Sequence, residues 1–109
     1  MTTKPVIQRE LAERDVADII AYYLSQQADR AALGFIGALE QAYAHLGHHA
    51  ATGSPRYAHE LNLPGLRSWP LTGYPYLVFY VDRHDHVDVW RVLHDQRDIP
   101  AWMQEPNLT

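Results

Sequence analysis

The sequence predicts an α+β domain: an N-terminal helical hairpin packed on a small twisted, mostly antiparallel sheet, in the order β-α-α-β-β-β. Three observations carry this. Two consecutive segments of the first half repeat apolar residues every three or four positions. That period is lost after Ala51-Thr52-Gly53-Ser54. Three short runs rich in β-branched, aromatic and leucine residues then follow, divided by turn sequences. A chain of 109 residues holds one hydrophobic core and not two. The hairpin is expected over about 12–48, the sheet over about 60–94 and a C-terminal turn over 95–109, all in one domain.

Each element has its own justification. PVIQREL can add an edge strand, where the missing N–H of Pro5 is tolerated. In the first helix Val16, Ile19, Ile20 and Tyr23 share a face, with Arg14, Asp15, Asp18 and Gln26 mostly opposite. In the second, Ala32, Phe35, Ile36, Leu39, Ala42, Tyr43 and Leu46 form the stripe, and Asp29 is a candidate N-cap. The short join makes the two helices antiparallel. Gly34 and Gly37 weaken the second helix and are expected where another backbone comes close. The strands are 66–71, 76–81 and 87–93, with YLVFYV central and with TGYP and DRHDH as turns. In the last strand Val87, Val89, Arg91 and Leu93 are expected on one face, and Asp88, Trp90 and Val92 on the other. The hairpin covers one face of the sheet; the second is left to be solvated or to bind something.

Composition narrows the function. There is no cysteine, so disulfides, thiolate nucleophiles and cysteine-held metals are excluded. No apolar run has signal-peptide or membrane-spanning length, which points to a soluble, cytoplasmic protein without membrane partners. The net charge is −4, and Lys4 is the sole lysine. Phosphate-backbone binding draws its affinity from clustered cations, so direct, sequence-specific DNA binding is not expected.

Several clusters invite chemistry. His45, His48 and His49 have a spacing that can place two imidazoles on one metal, but histidines in a last helical turn are better explained by the negative end of the helix dipole. No metal or cofactor is expected. His84 and His86 flank Asp85 in a turn. In LPGLRSWPL, Arg67 leaves a rigid strand as a recognition group would, or is a solvated residue paired with Asp88 or Glu60. Trp69 beside it is a candidate interface anchor. VLHDQRDIP, at the exit of the last strand, sets His94 near Asp95 and Asp98 as a base and orienting carboxylate would stand. No Ser, Thr or Cys nucleophile adjoins them, and Arg97 and Asp98 serve equally to fasten the turn that Ile99–Met103 begins.

The order and spacing of ADIIAYY (17–23), the second amphipathic helix, GLR (65–67), LVFY (77–80) and VLHDQRD (92–98) resemble the ParE/RelE superfamily of toxins from type II toxin–antitoxin systems. The resemblance runs from about Ile7 to about Met103 and implies the same fold. RelE-like members are ribosome-dependent mRNA endoribonucleases whose lysines and arginines, with a Tyr or His, activate a 2′-hydroxyl. ParE-like members act on DNA gyrase by protein contact. The lone lysine and the acidic balance favour the ParE-like, non-enzymatic alternative. A RelE-like site would fall to Arg67, Arg91, His94 and Arg97, and an inactive homologue that only binds its antitoxin is the third possibility. The implied partners are a ParD-like antitoxin and gyrase, with Arg67, Trp69, Tyr80, Trp90, His94 and Trp102 as contact residues. Three tryptophans, seven tyrosines and two phenylalanines exceed what so small a core hides, an independent motive for an interface.

Overall fold

The computed structural model describes residues 3–97 and 99–103. Strand β1 (Val6–Gln8) leads into helices α1 (Glu10–Ser25) and α2 (Asp29–His48). A 3₁₀ turn (Ala50–Thr52) and helix α3 (Arg56–Leu61) follow, then β2 (Leu66–Pro70), β3 (Tyr76–Asp82), β4 (Val87–His94) and α4 (Ile99–Met103). The sheet order is β1-β4-β3-β2. Only β1–β4 is parallel. The edge strand expected around Pro5 is present: the Pro5 carbonyl accepts from Val87 N, and Arg9 N donates to Val89 O, both at 2.9 Å.

The hairpin packs as its apolar stripes dictate. Phe35, Leu39, Ala42 and Leu46 of α2 are buried with Tyr76, Val78 and Tyr80 of β3 and with Val87, Val89 and Val92 of β4. Val16, Ile19, Ile20 and Tyr23 of α1 close that cluster from the side. Asp29 does not cap α2. It is the first helical residue, the cap is Ala28, and no side chain bonds the cap position. An acid in the first turn still faces the positive end of the helix.

The two glycines singled out in α2 behave differently. A Cβ at Gly34 would lie 2.1 Å from the Tyr74 hydroxyl, so the close approach is by a side chain, and nothing lies within 4 Å at Gly37. The backbone approach occurs instead at Gly47, where a Cβ would sit 2.9 Å from Lys4 O. There Lys4 N donates to Gly47 O at 2.9 Å, joining the segment before β1 to the end of α2.

The second sheet face is neither solvated nor vacant. Leu66, Phe79, Val81 and Leu93 are buried there under Ile99 and Met103 of α4 and Tyr57, Ala58 and Leu61 of α3. Helix α3 departs from the sequence expectation; its six residues show no long apolar period, and it ends at Asn62 in the left-handed conformation. The alternation expected along β4 is also broken. Phe79 pairs with Arg91 but Tyr80 with Val89, so Trp90 has no opposite number. This bulge resets the pleat. Val92 therefore joins Val87 and Val89 on the hairpin side, and Arg91 turns to α4.

Candidate functional site

Where β4 ends, a cleft of about 480 Å³ opens between α1 and the chain that leaves the sheet. Asp15, Asp18, Ile19, Tyr22 and Tyr23 form its α1 wall. Pro75 and Tyr76 close one end, and His94, Arg97 and Trp102 form the opposite wall. Of the residues proposed from sequence, only His94, Arg97 and Trp102 meet here.

The back of the cleft is a closed hydrogen-bond system. Arg91, only 3% exposed, donates from Nε and Nη2 to the two Asp15 oxygens at 2.7 and 2.8 Å. Its Nη1 donates to Trp102 O at 2.9 Å, and Val92 N gives Asp15 a third bond at 3.0 Å. One ion pair thus ties α1, β4 and α4 together. Arg91 cannot serve as a phosphate clamp in this arrangement, because every direction its guanidinium offers is buried against protein.

The front of the cleft is open. Gln96 N donates to His94 Nδ1 at 3.0 Å. That nitrogen must be the acceptor, so the neutral ring carries its proton on Nε2. The lone pair a general base would use is therefore occupied. Asp95 stands 3.5 Å from the same Nδ1, which can donate to it only in a form that carries a proton there and gives up the Gln96 bond. Asp98, the other proposed orienting carboxylate, lies outside the described residues. Arg97 stacks on Trp102, 4.5 Å from the ring centre. Tyr76 meets the His94 ring edge-on at 5.4 Å. Burial, together with the bond to Tyr23, pushes the Tyr76 hydroxyl up to about 12, so it stays protonated at neutral pH.

The remaining sequence-proposed residues lie elsewhere. Arg67 neither pairs with Asp88 or Glu60 nor projects into solvent; its Nη1 donates to Gly53 O at 2.7 Å. Tyr80 has no exposed surface, donates to Ala50 O at 2.5 Å and accepts from Gly53 N at 3.0 Å. It is thus a strut and not a partner contact, because its position on the central strand puts it beneath the hairpin. Trp69 stacks on His45 at 4.3 Å. His45 Nε2 in turn lies 2.8 Å from Thr52 Oγ1. Among the described residues no group of three or more His, Cys, Asp or Glu is arranged to hold a metal. Trp90 packs in the second-face cluster under the Arg9 guanidinium at 4.5 Å, and its Nε1 donates to Asp88 at 3.1 Å. Burial of Asp88 opposes its charge, but bonds from Arg9, Trp90 and Arg83 outweigh that and hold its carboxyl below the ordinary range.

Sequence reasoning missed Asp18, Tyr22 and Tyr76 as cleft residues. Tyr22 had a signal, since it falls off the apolar stripe of α1; the structure leaves it 58% exposed. Nothing in the sequence pairs Asp15 with Arg91, which lie 76 positions apart.

A second recess runs along the other flank of α1, beside β1. Val6, Ile7, Val16, Ile20, Ile36 and Leu39 supply apolar surface, and Glu13 and Glu40 stand among its polar lining. Ile7 is 52% exposed there. Among the described residues no helix is long and apolar enough to cross a membrane.

A family model described as "ParE toxin of type II toxin-antitoxin system, parDE" matches residues 6–99. A solved structure described as "Chromosomal ParDE TA system from P. aeruginosa" superposes with a TM-score of 0.68, covering 84% of this chain and 96% of that one. Its identity of 16% makes this a likeness of fold. No curated protein matches.

Proposed function

Because the chain belongs to the ParE family of toxins from type II toxin–antitoxin systems, we propose that it acts by contact with DNA gyrase and is neutralised by a ParD-like antitoxin in the cytoplasm. The observation that carries this over RNA cleavage is the fate of the four residues a RelE-like site would need. Arg91 is locked by Asp15. Arg67 is bonded to Gly53 O, away from the cleft. His94 has its basic lone pair engaged. Only Arg97 is left to face a phosphate, and catalysis of phosphoryl transfer needs several preorganised donors around the developing charge.

The antitoxin suits the recess along β1. Its apolar lining and half-exposed Ile7 offer a hydrophobic seat, and Glu13 and Glu40 favour a segment that carries basic residues beside its apolar ones. A strand edge beside it adds backbone groups that a partner chain can pair.

Purified protein added to gyrase and relaxed plasmid should block supercoiling, and mRNA translated in its presence should remain uncut. The co-expressed antitoxin should relieve the block. Cleavage of translated mRNA with unaffected gyrase would replace this proposal by the nuclease alternative. No effect in either assay, with the antitoxin still bound, would mark an inactive homologue.

A further inference from the structure

We propose that the cleft at the exit of β4 is the surface that grips gyrase, by receiving a convex segment with one aromatic or long aliphatic side chain between an acidic and a basic residue. This rests on the gyrase proposal above and goes further in naming the site and the pattern it takes.

The charged groups at the cleft mouth define the pattern. His94 Nε2–H and the Arg97 guanidinium form one wall, and among the described residues neither has an acceptor. They call for a carboxylate. Asp18 stands on the facing wall, likewise without a donor among the described residues. It calls for a cation. Between them the lining is apolar and aromatic, from Ile19, Tyr22, Tyr76 and Trp102. Tyr, Trp and Arg around a pocket are the composition of an interface hot spot, and the walls of opposite sign fix the direction in which a segment can lie.

Other occupants fit worse. A nucleic-acid strand would bring phosphates against Asp15 and Asp18, with Arg97 the only arginine among the described lining residues, on a chain of net charge −4. A second copy offers the same concave surface, and two hollows face to face leave both unfilled. The antitoxin is drawn to the recess on the opposite flank of α1, where Glu13 and Glu40 stand with no arginine among the lining residues. Helix α1 is thus a partition: Asp18 and Tyr22 look into the cleft, and Glu13, Val16 and Ile20 into the recess.

The test uses the whole chain and intact gyrase in a supercoiling assay. Tyr22→Ala and Arg97→Glu should each raise the concentration needed for half-inhibition by at least about tenfold. Antitoxin affinity should stay within about twofold, which also shows that the variants are folded. Ile7→Glu should show the reverse, with weakened antitoxin binding and full inhibition. If the wild-type chain inhibits and both cleft variants inhibit equally well, the cleft assignment is wrong and the gyrase proposal stands. If the wild-type chain does not inhibit, both fall. Quenching of tryptophan fluorescence by duplex DNA alone, lost in Arg97→Glu, would overturn the protein occupant. So would a concentration-dependent dimer lost in Tyr22→Ala.

Discussion

The β2 side of the sheet, with the turn that packs on it, and the exit of β4 are built from the same kinds of residue. Each has an arginine, a histidine, a tyrosine and a tryptophan, yet the two regions do different work. At the β2 edge the polar groups are met by protein: Arg67 by Gly53 O, Tyr80 by Ala50 O and Gly53 N, His45 by Thr52. At the β4 exit the Arg97 guanidinium, His94 Nε2 and Asp18 carboxylate have no hydrogen-bond or ion-pair partner among the described residues, and Arg97 only stacks on Trp102. Residue type therefore does not separate a strut from a contact group here. Satisfaction of donors and acceptors does, because a group bonded within the fold has already spent the interaction it would offer a partner.

The largest expected effect tests whether the Asp15–Arg91 pair belongs with the struts, although it lies at the back of the cleft. Asp15→Ala strips Arg91 of both carboxylate bonds while leaving its charge buried. Loss of one partner of such a pair costs about 3–5 kcal/mol. Chemical denaturation should show a midpoint shift of that size. A shift below about 1 kcal/mol would mean the pair is solvated in practice and Arg91 free to act.

At the β2 edge a milder loss is expected. Tyr80→Phe removes the donor to Ala50 O and the acceptor for Gly53 N. Leaving such buried groups unmet costs about 1–3 kcal/mol. Gly53→Ala should cost a similar amount, about 1–3 kcal/mol. The added Cβ would lie 2.2 Å from the Tyr80 hydroxyl, which must give way. Thermal melts of the two variants and of the double variant should show less than additive losses, since both break one contact.

Acid should reveal a third strut. The Asp88 carboxyl is held below its ordinary range in the folded chain. Its contribution is therefore complete above the unfolded value of about 4 and is lost as pH falls from there through the folded value. Between neutral pH and about pH 3 the wild type should lose more stability than Asp88→Asn, measured by urea titration. Parallel pH profiles would show that Arg9, Arg83 and Trp90 do not hold that charge.

Much of this division was legible in the sequence, and what was missed has physical causes. The apolar periods located both helices, and the β-rich runs located β2, β3 and β4, because burial of a stripe or a face constrains residue type directly. The bulge at Trp90 was not legible: one unpaired residue changes which side chains share a face without changing composition. That slip misplaced Arg91. Helix α3 escaped because six residues are too few to display a period. Tyr80 reads as a contact residue in the sequence because an aromatic on a strand suits an interface or a core equally well. Asp15 and Asp18 looked alike on the polar side of α1. Only the fold shows that Asp15 meets Arg91, and that Asp18 faces the open cleft.

The smallest effect is the one that sharpens the contrast most. Arg97 is exposed and Arg67 partly buried, and neither makes a salt bridge among the described residues. Arg67→Ala forfeits a bond from a charged donor to Gly53 O, worth about 1.5–3 kcal/mol when charged groups are involved. Arg97→Ala forfeits only its stacking on Trp102, about 0.5–1 kcal/mol at an exposed site. Denaturant midpoints of the two variants should therefore differ in that order. Arg97→Ala should also leave the near-ultraviolet dichroism of the core tyrosines intact. Equal losses would place Arg97 among the struts, and the exit of β4 would then have no unspent arginine with which to hold a partner.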